Sequence, residues 1–200
     1  RFGWNSTQSG SGSGDQKTNA VELQQDKSGN KYAELAAAQA DTAIYQDIAT
    51  TPGVLYKVKL KHASISSGHL DKMQVMIGAP GHERPVEMTR TTVNGNGDAL
   101  NEKSTTVATK VGNTNNRDHE NQWETYEGTY LIPEGQTVTR FTFKSLDAYN
   151  NPYYHNFYGN ELDDIVFDKA YKLTYDKNAS DASAAGRTPP SPPRTRPPAL

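Results

Sequence analysis

Two neighbouring carboxylates, Asp163 and Asp164, lie inside the run Glu161-Leu162-Asp163-Asp164-Ile165-Val166-Phe167. Its other residues are mostly apolar or β-branched, so the run reads as a strand, and successive side chains of a strand point to opposite faces. Asp163 then shares a face with Ile165 and Phe167, and Asp164 shares the other with Leu162 and Val166. At least one of them is expected to point into a core. A carboxylate there needs a partner, a hydrogen-bond shell or a metal ion.

The second group is Asn150-Asn151-Pro152-Tyr153-Tyr154-His155-Asn156-Phe157-Tyr158-Gly159-Asn160, the densest aromatic–amide cluster of the chain. A sugar ring offers an apolar C–H face and a rim of hydroxyls. Tyrosine stacking with hydrogen bonds from asparagine and histidine meets both needs. Tyr153, Tyr154, His155, Asn156 and Tyr158 are therefore candidate ligand-binding residues; rings of this kind also anchor protein partners or simply cap a sandwich. A third group, the polar stretch from Asn113 to Gln122, contributes Arg117 and His119. A guanidinium there can pair with sugar hydroxyls or a carboxylate, although such stretches are often only solvated loops. His62 completes the ligand-binding set. Trp123 reads as core, and Trp4 as either core or platform.

Catalysis finds little support. Glu22, Glu34, Glu124 and Glu127 all lie in strand-like segments, and no spacing singles out an acid and its partner for glycoside hydrolysis. The histidines show no metal-ligand spacing on a shared element. There is no Gly-x-Ser-x-Gly elbow and no phosphate loop.

The elements that must position these groups read as β. The strand from Val54 to His62 places Val54, Tyr56, Val58, Leu60 and His62 on one face and Leu55, Lys57, Lys59 and Lys61 on the other. Met73, Val75 and Ile77 repeat the alternation. Further strands are expected at 21–23, 31–35, 86–93, 104–111, 123–131, 137–144 and 162–167, separated by turn clusters such as Asn94-Gly95-Asn96-Gly97. Residues 33–48 carry three consecutive alanines and could form a helix. The preferred reading is two strands joined by a loop at 37–41. About eight to ten short strands with this punctuation predict an all-β fold, a jelly-roll β-sandwich of two antiparallel sheets.

Composition agrees. The chain of 200 residues has 21 Lys and Arg against 23 Asp and Glu, so nothing electrostatic favours nucleic acid or an anionic membrane. With no cysteine, disulfides and thiolate chemistry are excluded. No apolar run reaches the ~18 residues of a membrane span, and Arg1 reads as the start of an excised piece. One domain is expected over residues 1–168. Residues 169–179 follow as a linker or opening strand. Residues 180–200 form a disordered tail whose six prolines at 189–198 suit a vector-derived scar.

Several segments together resemble a known family. Gly29 to Leu35, Ile44 to Gly53, Tyr56 to His62, Met73 to Gly78, Trp123 to Tyr130, Pro133 to Phe143 and Gly159 to Ile165 are similar, in order, to bacterial galactose-binding-like jelly rolls of the carbohydrate-binding-module type. The resemblance spans about residues 2 to 168. It implies a structural Ca²⁺ held by Asp163 or Asp164 with oxygens from an N-terminal segment, although the N-terminal acid of that pattern is absent here. It also implies a non-catalytic glycan-binding module of a Gram-positive surface or secreted protein, mediating adhesion to host or environmental carbohydrate. Its partner would be a glycan or a host surface glycoprotein, with no nucleic acid and no membrane insertion. The alternatives are a protein-binding adhesin domain and a ligand-free spacer. Tyr171 to Asn178 further resembles the opening strand of a Listeria–Bacteroides-type β-grasp repeat.

Overall fold

The computed structural model describes residues 3–10, 17–36, 39–65, 69–92, 100–110, 123–151 and 156–170. The chain divides into units at 1–170 and 171–200, and every described residue belongs to the first. The expected tail and β-grasp segment lie outside the described residues.

In chain order the strands begin with β1 (Asn5–Ser6), β2 (Glu22–Gln25), β3 (Lys31–Glu34), β4 (Ala43–Ala49) and β5 (Leu55–Ala63). They continue with β6 (Leu70–Gly78), β7 (Arg84–Pro85), β8 (Met88–Arg90), β9 (Lys103–Ser104) and β10 (Val107–Lys110). The last are β11 (Glu124–Leu131), β12 (Val138–Asp147), β13 (Tyr149–Asn151), β14 (Asn156–Tyr158) and β15 (Glu161–Lys169). Among the described residues there is no helix, so none is long and apolar enough to cross a membrane. The alanine run leads into the connection between β3 and β4, as the two-strand reading expects.

One sheet runs β1-β4-β12-β6-β10, with β7 beside β6; the other runs β2-β3-β15-β5-β11-β8-β9. Numbering β3, β4, β5, β6, β10, β11, β12 and β15 from one to eight gives the orders 1-8-3-6 and 2-7-4-5. That is the strand order of a jelly roll, and all of these pairs are antiparallel. The fold is an all-β jelly-roll sandwich.

Alternation makes the core. On β5, Tyr56, Val58, Leu60 and His62 are buried, whereas Lys57, Lys59 and Lys61 face outward. Lys57 pairs there with Glu127 at 2.9 Å. Met73, Val75 and Ile77 of β6 meet Phe141 and Phe143 of β12 between the sheets. Trp4 packs on both phenylalanines, with ring centroids 6.3 and 5.7 Å away, so it belongs to the core side. Trp123 stands edge-on to Tyr32 at 5.3 Å.

At β15 the expected alternation fails. The register against β5 shifts between Asp163 and Val166, and Asp164 adopts φ 46°. This bulge returns Ile165 and Phe167 to the core side and keeps both aspartates out of it. Asp163 is half-buried and Asp164 exposed. The acid of this strand that enters the interior is Glu161, at 0% exposure.

Candidate functional site

The strand registers bring several connections to one end of the sandwich. Glu124 lies opposite His62, Glu161 opposite both Ala63 and Glu34, Lys110 opposite Leu70, and Lys144 opposite Ala43. Cross-sheet bonds from His62 to Thr109 and from Asn160 to Ser145 show that the two sheets share this end. The chain between β3 and β4, β5 and β6, β8 and β9, β10 and β11, and β12 and β15 therefore leaves and re-enters here.

Beneath these connections lies a polar floor centred on Gly159 and Asn160. The Gly159 amide donates to Glu34 Oε1 at 2.7 Å, and the Asn160 amide donates to Asp71 Oδ2 at 2.9 Å. Their carbonyls accept from Ala36 (3.1 Å) and Leu35 (3.2 Å). The Asn160 side chain donates to Ser145 Oγ at 3.0 Å and to the Asp147 carbonyl at 2.9 Å. Its Oδ1 is therefore the acceptor facing His62 Nε2 at 2.9 Å. That makes His62 a neutral Nε2–H tautomer whose Nδ1 accepts from Thr109 Oγ1 at 2.8 Å. Gly159 and Asn160 sit in the left-handed half of φ space, at 124° and 56°. Glycine is required at 159, because a Cβ there would overlap the Asp71 carboxylate.

Burial sets the protonation of this floor. Desolvation, reinforced by the neighbouring Glu22 charge, pushes the Glu34 carboxyl up to about 8. Desolvation raises Asp71 to about 6 against the pull of the Asn160 and Ile65 amides. Enclosure lowers His62 to about 4. Farther along, Tyr126 OH donates to Glu124 Oε2 at 2.8 Å, and Arg90 Nε lies 3.0 Å from the same oxygen. Arg90 also donates to Glu102 and to the Ala108 carbonyl, which caps the open edge of β10. Glu34 and Asp71 have the raised pKa of general acids, but both are enclosed and bonded to backbone amides rather than facing a cleft.

Above the floor, β13 and β14 form a hairpin in which Tyr149 pairs with Tyr158 and Asn151 with Asn156. Tyr149, Phe157 and Tyr158 are half-buried and Asn150 is exposed. His69 meets the Tyr149 ring edge-on at 5.9 Å, with its Nε2 3.4 Å from both Asp71 Oδ1 and Asp147 Oδ1.

Of the residues singled out in the sequence, Tyr158 and the backbone of Asn156 are thus in this hairpin. Tyr153, Tyr154, His155, Arg117 and His119 lie outside the described residues. The described neighbours of those segments, Asn151, Asn156, Lys110 and Trp123, are all at this end. His62 requires a correction: at 0% exposure, with both ring nitrogens bonded, it is part of the floor and offers no surface to a ligand.

The aspartate pair is corrected in position, since neither side chain enters the core. Asp163 Oδ2 accepts from Asn30 Nδ2 at 2.8 Å, and its Oδ1 accepts from the Asp164 amide. Asp164 pairs instead with the Lys61 ammonium at 2.6 Å. Among the described residues no group of three His, Cys, Asp or Glu side chains could hold a metal ion.

The outer face of the first sheet carries a cluster that no sequence motif announced. Arg140 lies over the Tyr45 ring at 4.2 Å and forks onto Asp47 at 2.7 and 2.8 Å. Hydrogen bonds from the guanidinium hold Asp47 below the usual carboxylate range. Thr142 and Met76 extend the row begun by Tyr45.

A rigid jelly roll with an aromatic hairpin rooted on a closed polar floor is the class these observations define. No protein-family model matches the chain, and no curated protein matches its sequence. Solved structures similar to it include the CBM22-1 xylan-binding domain of Xyn10C from Paenibacillus barcinonensis, at 12% identity, covering 85% of this chain and 94% of that one, TM-score 0.42. A xylan-binding domain from CBM 22 has 13% identity, covers 86% and 90%, and has a TM-score of 0.43. The enzymatically active domain of tailspike protein 4 from bacteriophage CBA120 has 13% identity and a TM-score of 0.43; the match covers 84% of this chain but only 20% of that one. The jelly-roll order stands on the hydrogen-bonded strand pairs themselves.

Proposed function

We propose that this chain is a non-catalytic glycan-binding module of a bacterial surface or secreted protein, serving adhesion to host or environmental carbohydrate. The observation that carries the reading is the β13–β14 hairpin. It presents half-buried tyrosines and an exposed asparagine, on a root in which both backbone amides and both carbonyls are bonded. Aromatic faces suit the C–H side of a sugar and amides suit its hydroxyls. A loop set displayed on a rigid scaffold binds without much ordering cost.

A glycan array carrying host and plant polysaccharides tests it. Wild-type chain is expected to bind at least one class. The Tyr154→Ala/Tyr158→Ala variant should bind it roughly ten- to hundredfold more weakly through the loss of two ring contacts. Tyr45→Ala, on the outer sheet face, should bind like wild type. Undiminished binding by the double variant, or loss caused by Tyr45→Ala, would move the site away from the hairpin. Retention on a host glycoprotein stripped of its glycans would replace the sugar by a protein partner.

A further inference from the structure

The junction between the hairpin and β15 is held by carboxylates from both sheets. Glu34 of β3 accepts the Gly159 amide, and Asp71 of β6 accepts the next amide, from Asn160. Asp71 Oδ2 also accepts the Ile65 amide at 3.2 Å, so one side chain ties the hairpin root to the chain leaving β5. Glu34 is 1% exposed and Asp71 0%. We propose that Glu34 and Asp71 are positioning residues for ligand binding, a two-carboxylate clasp whose protonation governs how firmly the β13–β14 hairpin is held. Its consequence for a ligand depends on the glycan-binding reading above; the clasp itself does not.

The charged surroundings set its behaviour. Glu34 faces Glu22 on β2 and Asp71 on β6, with Glu161 directly opposite it on β15. Asp71 faces His69, and His69 in turn faces Asp147. Near neutrality Glu34, raised to about 8, holds its proton, while Asp71, raised to about 6, is an anion that accepts the two amides. Above pH 8 a further negative charge appears beside Glu22 and Asp71, and their repulsion bears on the Gly159 bond. Below pH 6 Asp71 gains a proton, which its enclosed site holds better than an opened, solvated one, so acidification favours the closed root. The hairpin root is firmest in acid and loosens as pH rises through these two values.

Hydrogen exchange of the full chain at pH 5, 7 and 9, corrected for the intrinsic pH dependence of amide exchange, tests the clasp without any ligand. The amides of 149–151 and 156–160 should exchange roughly tenfold faster at pH 9 than at pH 5, with pH 7 between, the size expected for weakening one charge-assisted bond. Amides of β5 and β12 should keep their protection. Glu34→Gln should flatten the rise between pH 7 and 9 and Asp71→Asn the rise between pH 5 and 7; the wild-type series is decisive even where a variant does not fold. A flat hairpin profile, or one matched by the core strands, overturns the proposal. A chain that binds no glycan yet shows the profile would remove the proposed function and keep the clasp, whereas a flat profile with intact glycan binding would do the reverse.

Discussion

Gly159→Ala is expected to destabilise the fold by about 3–5 kcal/mol, lowering Tm by roughly 10–15 °C for a chain of this size. Two costs combine. At φ 124° a side chain is strained wherever it is placed. The added methyl would also overlap the Asp71 carboxylate, lying 2.9 Å from its Cγ. Asp71 cannot retreat freely, because moving it releases the buried Asn160 amide and the half-buried Ile65 amide. Gly81→Ala is the matched control: its φ is 84°, but nothing lies within 4 Å of the point where a Cβ would stand. That substitution should cost only about 1–2 kcal/mol. Urea unfolding of both variants separates backbone strain from overlap. Equal losses at 159 and 81 would mean that Asp71 does not hold the junction. Recovery of part of the loss in Gly159→Ala/Asp71→Ala would locate the overlap at that carboxylate.

Strand alternation was readable along β5 because most of its inward residues are apolar and most of its outward ones are lysines. Tyr56, Val58 and Leu60 against Lys57, Lys59 and Lys61 leave one choice of face, and the buried set follows it. β15 could not be read this way. A bulge adds a residue without leaving a mark in hydrophobicity, so the period-two rule assigned Asp163 to the face of Ile165 and Phe167. Its consequence was the expectation that one of the two aspartates enters the core, whereas both lie outside it.

The floor was missed for a related reason. Glu34, Asp71, Glu161 and Glu124 are surrounded in sequence by ordinary strand residues, and a buried acid is legible only through partners far along the chain. Glu34 meets Gly159 across 125 positions and Asp71 meets Asn160 across 89. His62 did carry a signal: it falls on the same face as Val58 and Leu60, which already placed it inside. What the sequence could not show was that Asn160, at the end of the aromatic segment, would meet its Nε2. The hairpin's composition was legible, whereas its root required three-dimensional closure.

His62→Ala should show what this interior polar contact contributes, and pH gives the result a sign. At pH 7 the substitution is expected to cost about 3–5 kcal/mol, since it opens a cavity and leaves the Asn160 Oδ1 and Thr109 hydroxyl without their partner. Enclosure lowers the folded imidazole to about 4, against 6.5 in the unfolded chain. The unfolded state therefore binds the extra proton. The stabilising contribution is complete above pH 6.5 and is lost as pH falls through 4, amounting to roughly 3 kcal/mol. Glu34 and Asp71 act in the opposite sense: their raised values make the folded state the better proton binder, so acidification favours it. Wild-type stability between pH 7 and pH 4 is thus set by opposing contributions, and removing His62 leaves that of the carboxylates uncovered. The deficit of His62→Ala relative to wild type should narrow by roughly 3 kcal/mol from pH 7 to pH 4, measured by urea unfolding at each pH. A deficit that stays constant across this range would show that the fold does not resist protonation of His62, and that the Asn160–His62–Thr109 contact supplies packing alone.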